Sequence, residues 1–164
     1  MRLKSLARRV WTPDDLDMIE HYQSRAERLA DLWVHIVGLG LAAIGGVVLA
    51  VLAGLYGGIS AVVATAIYAV CLLAMLTAST IYNQTHPCAA RPVLRRLDEA
   101  AIFLMIAGSY TPFTTQRFEG AWSIGFTLTV WLIALSGVAV KMFAPRISDV
   151  FWSAVYVLFG WVAI

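Results

Sequence analysis

The 164-residue chain is 60% hydrophobic and only 13% charged, whereas about a quarter of the residues in soluble domains carry charge. A water-soluble fold cannot hide that much apolar surface and is excluded. The net charge of +2, with no basic residues interleaved among stacking aromatics, gives no footing for nucleic acid.

Residues 1–31 are polar or amphipathic. Thr12-Pro13-Asp14-Asp15 reads as a helix start, with Thr as N-cap, Pro at the first helical position and acids where the helix dipole favours them. Leu16, Ile19, Tyr22, Ala26, Leu29 and Trp33 follow at steps of three and four, which predicts an amphipathic helix at the membrane surface leading into the first span. Because this segment precedes the apolar run, the first span is not a cleaved signal.

Between Leu32 and Ala90 there is no Asp, Glu, Lys or Arg. About 20 apolar residues cross a bilayer as helix, so this run predicts two spans, 32–56 and 59–82, joined by a turn at Tyr56-Gly57-Gly58-Ile59-Ser60. On the first span Gly38, Ala42, Gly46, Ala50 and Gly54 recur every four residues. They form one small-residue face suited to close packing inside the bundle, or alternatively to a dimer seam. A third span is predicted over 98–116, with a kink or helix end at Pro112, which lacks a backbone donor. The fourth covers 122–143 and Pro145 stops it. Ser148-Asp149 opens a fifth, whose residues 149–164 would rise only about 24 Å, short of a hydrocarbon core of about 30 Å.

The predicted fold class is therefore all-α, a polytopic transmembrane helix bundle. Residues 1–31 form a cytoplasmic segment, and residues 32–164 form a bundle with four full spans and a partial fifth. The short last span reads as part of a longer protein. Eleven of the twelve Lys and Arg residues fall on one side of these spans, and Arg117 is alone on the other. Basic short loops stay inside, which places the N-terminus in the cytoplasm, the chain in the inner (plasma) membrane, and lipids around it.

Polar groups in or near a bilayer are expensive and mark candidate sites. Glu27, Asp31 and His35 lie at the cytoplasmic end of the first span, Ser79, Asn83 and His86 at that of the second, and Asp98 and Glu99 at the start of the third. The ends of three helices can thus share one pocket. Each residue also has a plainer role: Asp98 as an N-cap, Ser79 bonded to a carbonyl four residues earlier, His35 as a satisfied packing residue, Asn83 and His86 as headgroup-level loop residues. Cys71 and Cys88 read as ordinary thiols. Lys4 and Lys141 are the only lysines, and neither is mid-membrane, which removes a retinal Schiff base. No acid lies at mid-depth to drive ion-coupled transport. There is also no H-E-x-x-H, G-x-S-x-G or P-loop pattern.

Glu27-Arg28-Leu29-Ala30-Asp31 with His35, Ser79-Thr80-Ile81-Tyr82-Asn83, and the long run from Arg95-Arg96-Leu97-Asp98-Glu99 to Gly108-Ser109-Tyr110-Thr111-Pro112-Phe113 resemble the hemolysin III family. That family is the bacterial branch of the progestin and adipoQ receptor group and is related to alkaline ceramidases. The resemblance implies a seven-helix bundle, here cut before its last two helices. It also implies a zinc held near the cytoplasmic face by three histidines, one from a Ser-x-x-x-His motif on the second helix and two from a His-x-x-x-His motif on the seventh, with an Asp of the third helix completing the site. Such a metal would activate water for hydrolysis of a ceramide-type lipid amide.

Ser79 and Asp98 match this pattern and are the implied catalytic residues. Asn83, however, occupies the histidine position, Glu99 stands where bacterial members commonly carry a histidine, and no His-x-x-x-His occurs in the chain. An amide is a poor zinc ligand beside an imidazole, so zinc is expected only if the chain continues beyond Ile164. As it stands, the sequence favours a receptor-like or structural member, with a zinc-dependent lipid amide hydrolase as the alternative. Membrane lysis, which the family name evokes, has no supporting motif.

Overall fold

The structure is a computed structural model and describes residues 19–20, 22–143 and 149–161. Its described elements are five helices: α1 (Arg25–Tyr56), α2 (Gly58–Gln84), α3 (Arg91–Arg117), α4 (Gly120–Phe143) and α5 (Asp149–Gly160). The all-α bundle expected from composition is what the chain forms. Successive helices pack side by side from α1 to α4, and α5 returns to lie against α3. Among the described helices α1, α2 and α4 are each long and apolar enough to cross a membrane, and α5 is shorter.

The turn between α1 and α2 falls inside the predicted glycine pair. Gly58 adopts φ +75°, a left-handed conformation that glycine tolerates without strain. A Cβ on Gly57 would come within 2.5 Å of the Ala61 Cβ. Ser24 caps α1, its hydroxyl accepting the Glu27 amide at 3.2 Å, while the Glu27 carboxylate accepts from Gln23 N at 2.9 Å. This is a variant of the Ser-x-x-Glu cap in which the carboxylate takes the amide just before the N-cap residue. The described residues just before Ser24 lie outside the helix, and the Thr12 start lies outside the described residues.

The third helix begins earlier than hydropathy suggests. Pro92 sits in its first turn, where the missing N–H leaves nothing unpaired. Asp98 is therefore two turns inside α3 and is not its N-cap. Nor does Pro112 end the helix, which continues to Arg117. Threonine hydroxyls occupy the carbonyls around it, Thr111 donating to Ala107 O at 2.9 Å and Thr115 to Thr111 O at 2.7 Å, as polar side chains do near membrane prolines.

α3 is the central element. It buries Ala100, Ala101, Phe103, Ala107, Gly108 and Tyr110, whereas α1 buries only Ala42 and Gly46. Close approach is built from small residues: a Cβ on Gly108 would meet Cys71 of α2 at 2.7 Å, and one on Gly137 of α4 would meet the Phe103 ring at 2.5 Å. The small-residue face of α1 turns partly inward. Ala42 and Gly46 are buried, and a Cβ on Gly46 would sit 2.9 Å from that of Ala69, but one on Gly38 would meet nothing within 4 Å.

Candidate functional site at one end of the bundle

The first turns of α1, the last turns of α2 and the early turns of α3 meet. Arg28 ties the first two, its Nη2 donating to Gln84 O at 2.5 Å and its Nε to Gln84 Oε1 at 3.3 Å. Arg91, fully buried at the start of α3, donates to Ile19 O at 2.9 Å and lies over the Tyr82 ring. Basic side chains thus fix the frame of the site by reaching across elements.

Asp31 is held by two donors on one oxygen: the Tyr22 hydroxyl at 2.6 Å and Gln84 Nε2 at 3.0 Å. Partial burial, then the hydrogen bond to Asp31 and its charge, push the Tyr22 phenol up to about 12. One turn further along α1, His35 Nδ1 lies 2.9 Å from Asp31 O and 3.3 Å from Asp31 Oδ2. Both oxygens only accept, so Nδ1 carries the hydrogen. In the neutral ring Nε2 is then a lone pair, and it faces Ser79 Oγ at 3.4 Å.

Ser79 is the meeting point. Asn83, one turn on, donates its Nδ2 to Ser79 Oγ at 3.3 Å, and Asp98 of α3 lies close enough to interact with the same hydroxyl. Of these neighbours, the imidazole is the acceptor within hydrogen-bond distance of the hydroxyl proton. The back-bond within α2 is made by the neighbour instead, Thr80 Oγ1 donating to Leu76 O at 2.6 Å.

The remaining candidates lie apart. The Glu27 carboxylate is occupied by the α1 cap. His86 is exposed at the rim, 3.4 Å from Glu20 Oε1 and in contact with Arg28. Glu99 points to the other side of α3, where it pairs with Lys141, and its backbone carbonyl accepts from the Tyr156 hydroxyl at 2.9 Å. Lys141 is buried and also lies 4.9 Å from the Trp152 ring centre.

The sequence reading missed Tyr22, Gln84 and Lys141 as partners. Ser24-x-x-Glu27 was a readable capping signal, and a lysine in the last turn of an otherwise apolar helix was a readable request for a counter-ion.

A family model described as haemolysin-III related matches residues 23–164. The chain belongs to the hemolysin III family. It is 31% identical over 140 residues to the hemolysin-3 homolog of Bacillus subtilis (strain 168), covering 84% of this chain and 65% of that protein. It is also 31% identical over 140 residues to hemolysin-3 of Bacillus cereus, covering 84% of this chain and 63% of that one. The chain thus spans somewhat under two thirds of the length of these relatives. No solved structure matches it. With its apolar helices, this hemolysin III member is a multi-pass membrane protein.

The zinc implied for the wider group does not fit the residues that this chain supplies. Asn83 stands where the second-helix imidazole is required and turns its N–H toward Ser79. Among the described residues no three His, Cys, Asp or Glu side chains converge as a metal-holding group.

Proposed function

We propose that this chain forms a receptor-like site for a polar lipid headgroup, facing the cytoplasm from the inner membrane and working without the zinc of its wider group. The observation that carries the reading is the Asn83 to Ser79 hydrogen bond of 3.3 Å. A side chain at the expected metal-ligand position is spent instead on the hydroxyl beside it. Orientation rests on the basic residues at this end of the bundle, Arg25, Arg28, Arg91, Arg95 and Arg96. Serine, amide, imidazole and carboxylate together offer both donors and acceptors to a headgroup at the depth where water meets lipid.

Elemental analysis of the full-length protein, purified without chelators, tests this reading. No stoichiometric zinc is expected, and one zinc per chain would overturn it. The second reading is a zinc-dependent lipid amide hydrolase in the full-length protein, favoured by the proximity of Asp98 to Ser79. In that reading Asp98 serves as the base and Ser79 stabilises the oxyanion.

A further inference from the structure

Ser79, His35 and Asp31 follow one another as hydroxyl, imidazole and carboxylate. Nε2 lies 3.4 Å from Oγ, and Nδ1 lies 3.3 Å from a carboxylate oxygen that two other donors hold in place. A nucleophile, a base within reach and a third group orienting that base are the structural signature of covalent catalysis. In resting enzymes these bonds are commonly long and shorten with substrate bound.

A place for a substrate lies along the same two helix faces. Gly38 is three residues beyond His35 and Leu76 three before Ser79, so each shares a helix face with its partner in the polar contact. Both line a cleft of about 350 Å³ between α1 and α2, whose other walls include Leu41, Ala42, Gly45 and Leu72. The cleft is mostly apolar, and its lining begins about one helical turn from His35 and Ser79, at Gly38 and Leu76, within reach of an acyl chain attached to a reacting carbonyl.

We propose that Asp31, His35 and Ser79 form a metal-independent acyl-transfer centre for a long-chain acyl ester, with the chain lying in the α1–α2 cleft. This rests on the reading of the site as one that receives a lipid, and it adds chemistry to it. Ser79 Oγ attacks the ester carbonyl carbon while its proton passes to His35 Nε2, and Asp31 faces the imidazolium that forms. Asn83 Nδ2 is the amide donor at hand for the oxyanion. Collapse breaks the ester C–O bond, and His35 returns the proton to the departing alcohol. Water then adds to the acyl-serine and gives a proton to His35. The bond to Ser79 Oγ breaks, a fatty acid leaves, and Ser79 regains its proton. The sum is ester plus water to acid plus alcohol.

The test treats full-length protein in bicelles, with a metal chelator present, with a long-chain alkyl fluorophosphonate and with its methyl counterpart, and locates the adduct by mass spectrometry. An adduct on Ser79 is expected, absent in Ser79→Ala and formed roughly 100-fold more slowly in His35→Gln. Gly38→Leu places a side chain on the cleft wall, where its Cβ would meet nothing within 4 Å, and it should slow the long-chain probe about ten-fold more than the methyl one. No Ser79 adduct in folded wild-type protein, or equal rates in wild type and His35→Gln, would overturn the proposal. So would a labelling reaction that the chelator abolishes. Bound zinc with chelator-insensitive labelling would instead overturn only the zinc-free reading of the site.

Discussion

Toward α2, the early turns of α3 bring Asp98 near the Ser79 hydroxyl, which contacts His35 and through it Asp31. Toward α4 and α5 the same helix presents Phe103, 1% exposed, with its ring centre 5.8 Å from that of Trp152 and 4.8 Å from that of Tyr156. Tyr110 closes that side by donating to the carbonyls of Phe159 and Gly160. Apolar side chains gain little by leaving lipid for protein, so burial alone does not hold either side. The polar side is held because its partly buried groups are costly to leave unpaired. The aromatic side is held by fit, with one ion pair at its edge.

That ion pair should carry the largest effect. Lys141→Met leaves the Glu99 carboxylate without its partner. The expected loss is about 3 kcal/mol, at the low end for buried pairs because Glu99 keeps some exposure. The double variant Lys141→Met/Glu99→Gln should recover most of it in reversible unfolding in micelles. An unchanged single variant would mean that fit alone holds α3 to α4.

The α1–α2 contact gives a smaller effect and a sharper contrast. Gly46→Leu, forced against Ala69, should lower stability by about 2 kcal/mol. Gly38→Leu, which meets open space, should change it by less than about 0.5 kcal/mol. Equal losses would mean that the small-residue face packs uniformly.

The smallest effect belongs to Tyr22. Its phenol is raised to about 12 from an ordinary value of 10.0 in the folded state, so the folded state holds the proton more tightly than the unfolded one. The stabilisation is complete below pH 10 and is lost between pH 10 and 12. Following tyrosinate absorbance in wild type and Tyr22→Phe should remove one late-titrating phenol. If all tyrosines titrate identically in the two proteins, the Tyr22–Asp31 bond is absent.

The helices were legible because apolar runs report on helix positions and the Gly57-Gly58 pair on the turn between the first two. The same hydropathy logic misplaced the start of α3. Arg91, Arg95 and Arg96 depress the local average, although Pro92 marks a first turn and the helix is already formed there. Of the eight polar candidates, the sequence could place all near one end of the helices but could not say which way each side chain turns. Asp98 and Glu99 are adjacent in sequence and serve opposite sides of α3, because successive residues on a helix point about 100° apart. His35 gained its place beside Ser79 from a contact 44 residues away in the chain, which no local pattern records.

The position of His35 bears most directly on the polar site as a whole. Nitrogen-15 NMR of its ring in full-length protein, compared between wild type and Ser79→Ala, should show an Nε2 resonance that moves and an Nδ1 resonance, held by Asp31, that stays. Identical ring spectra in the two proteins would contradict a site assembled around Ser79.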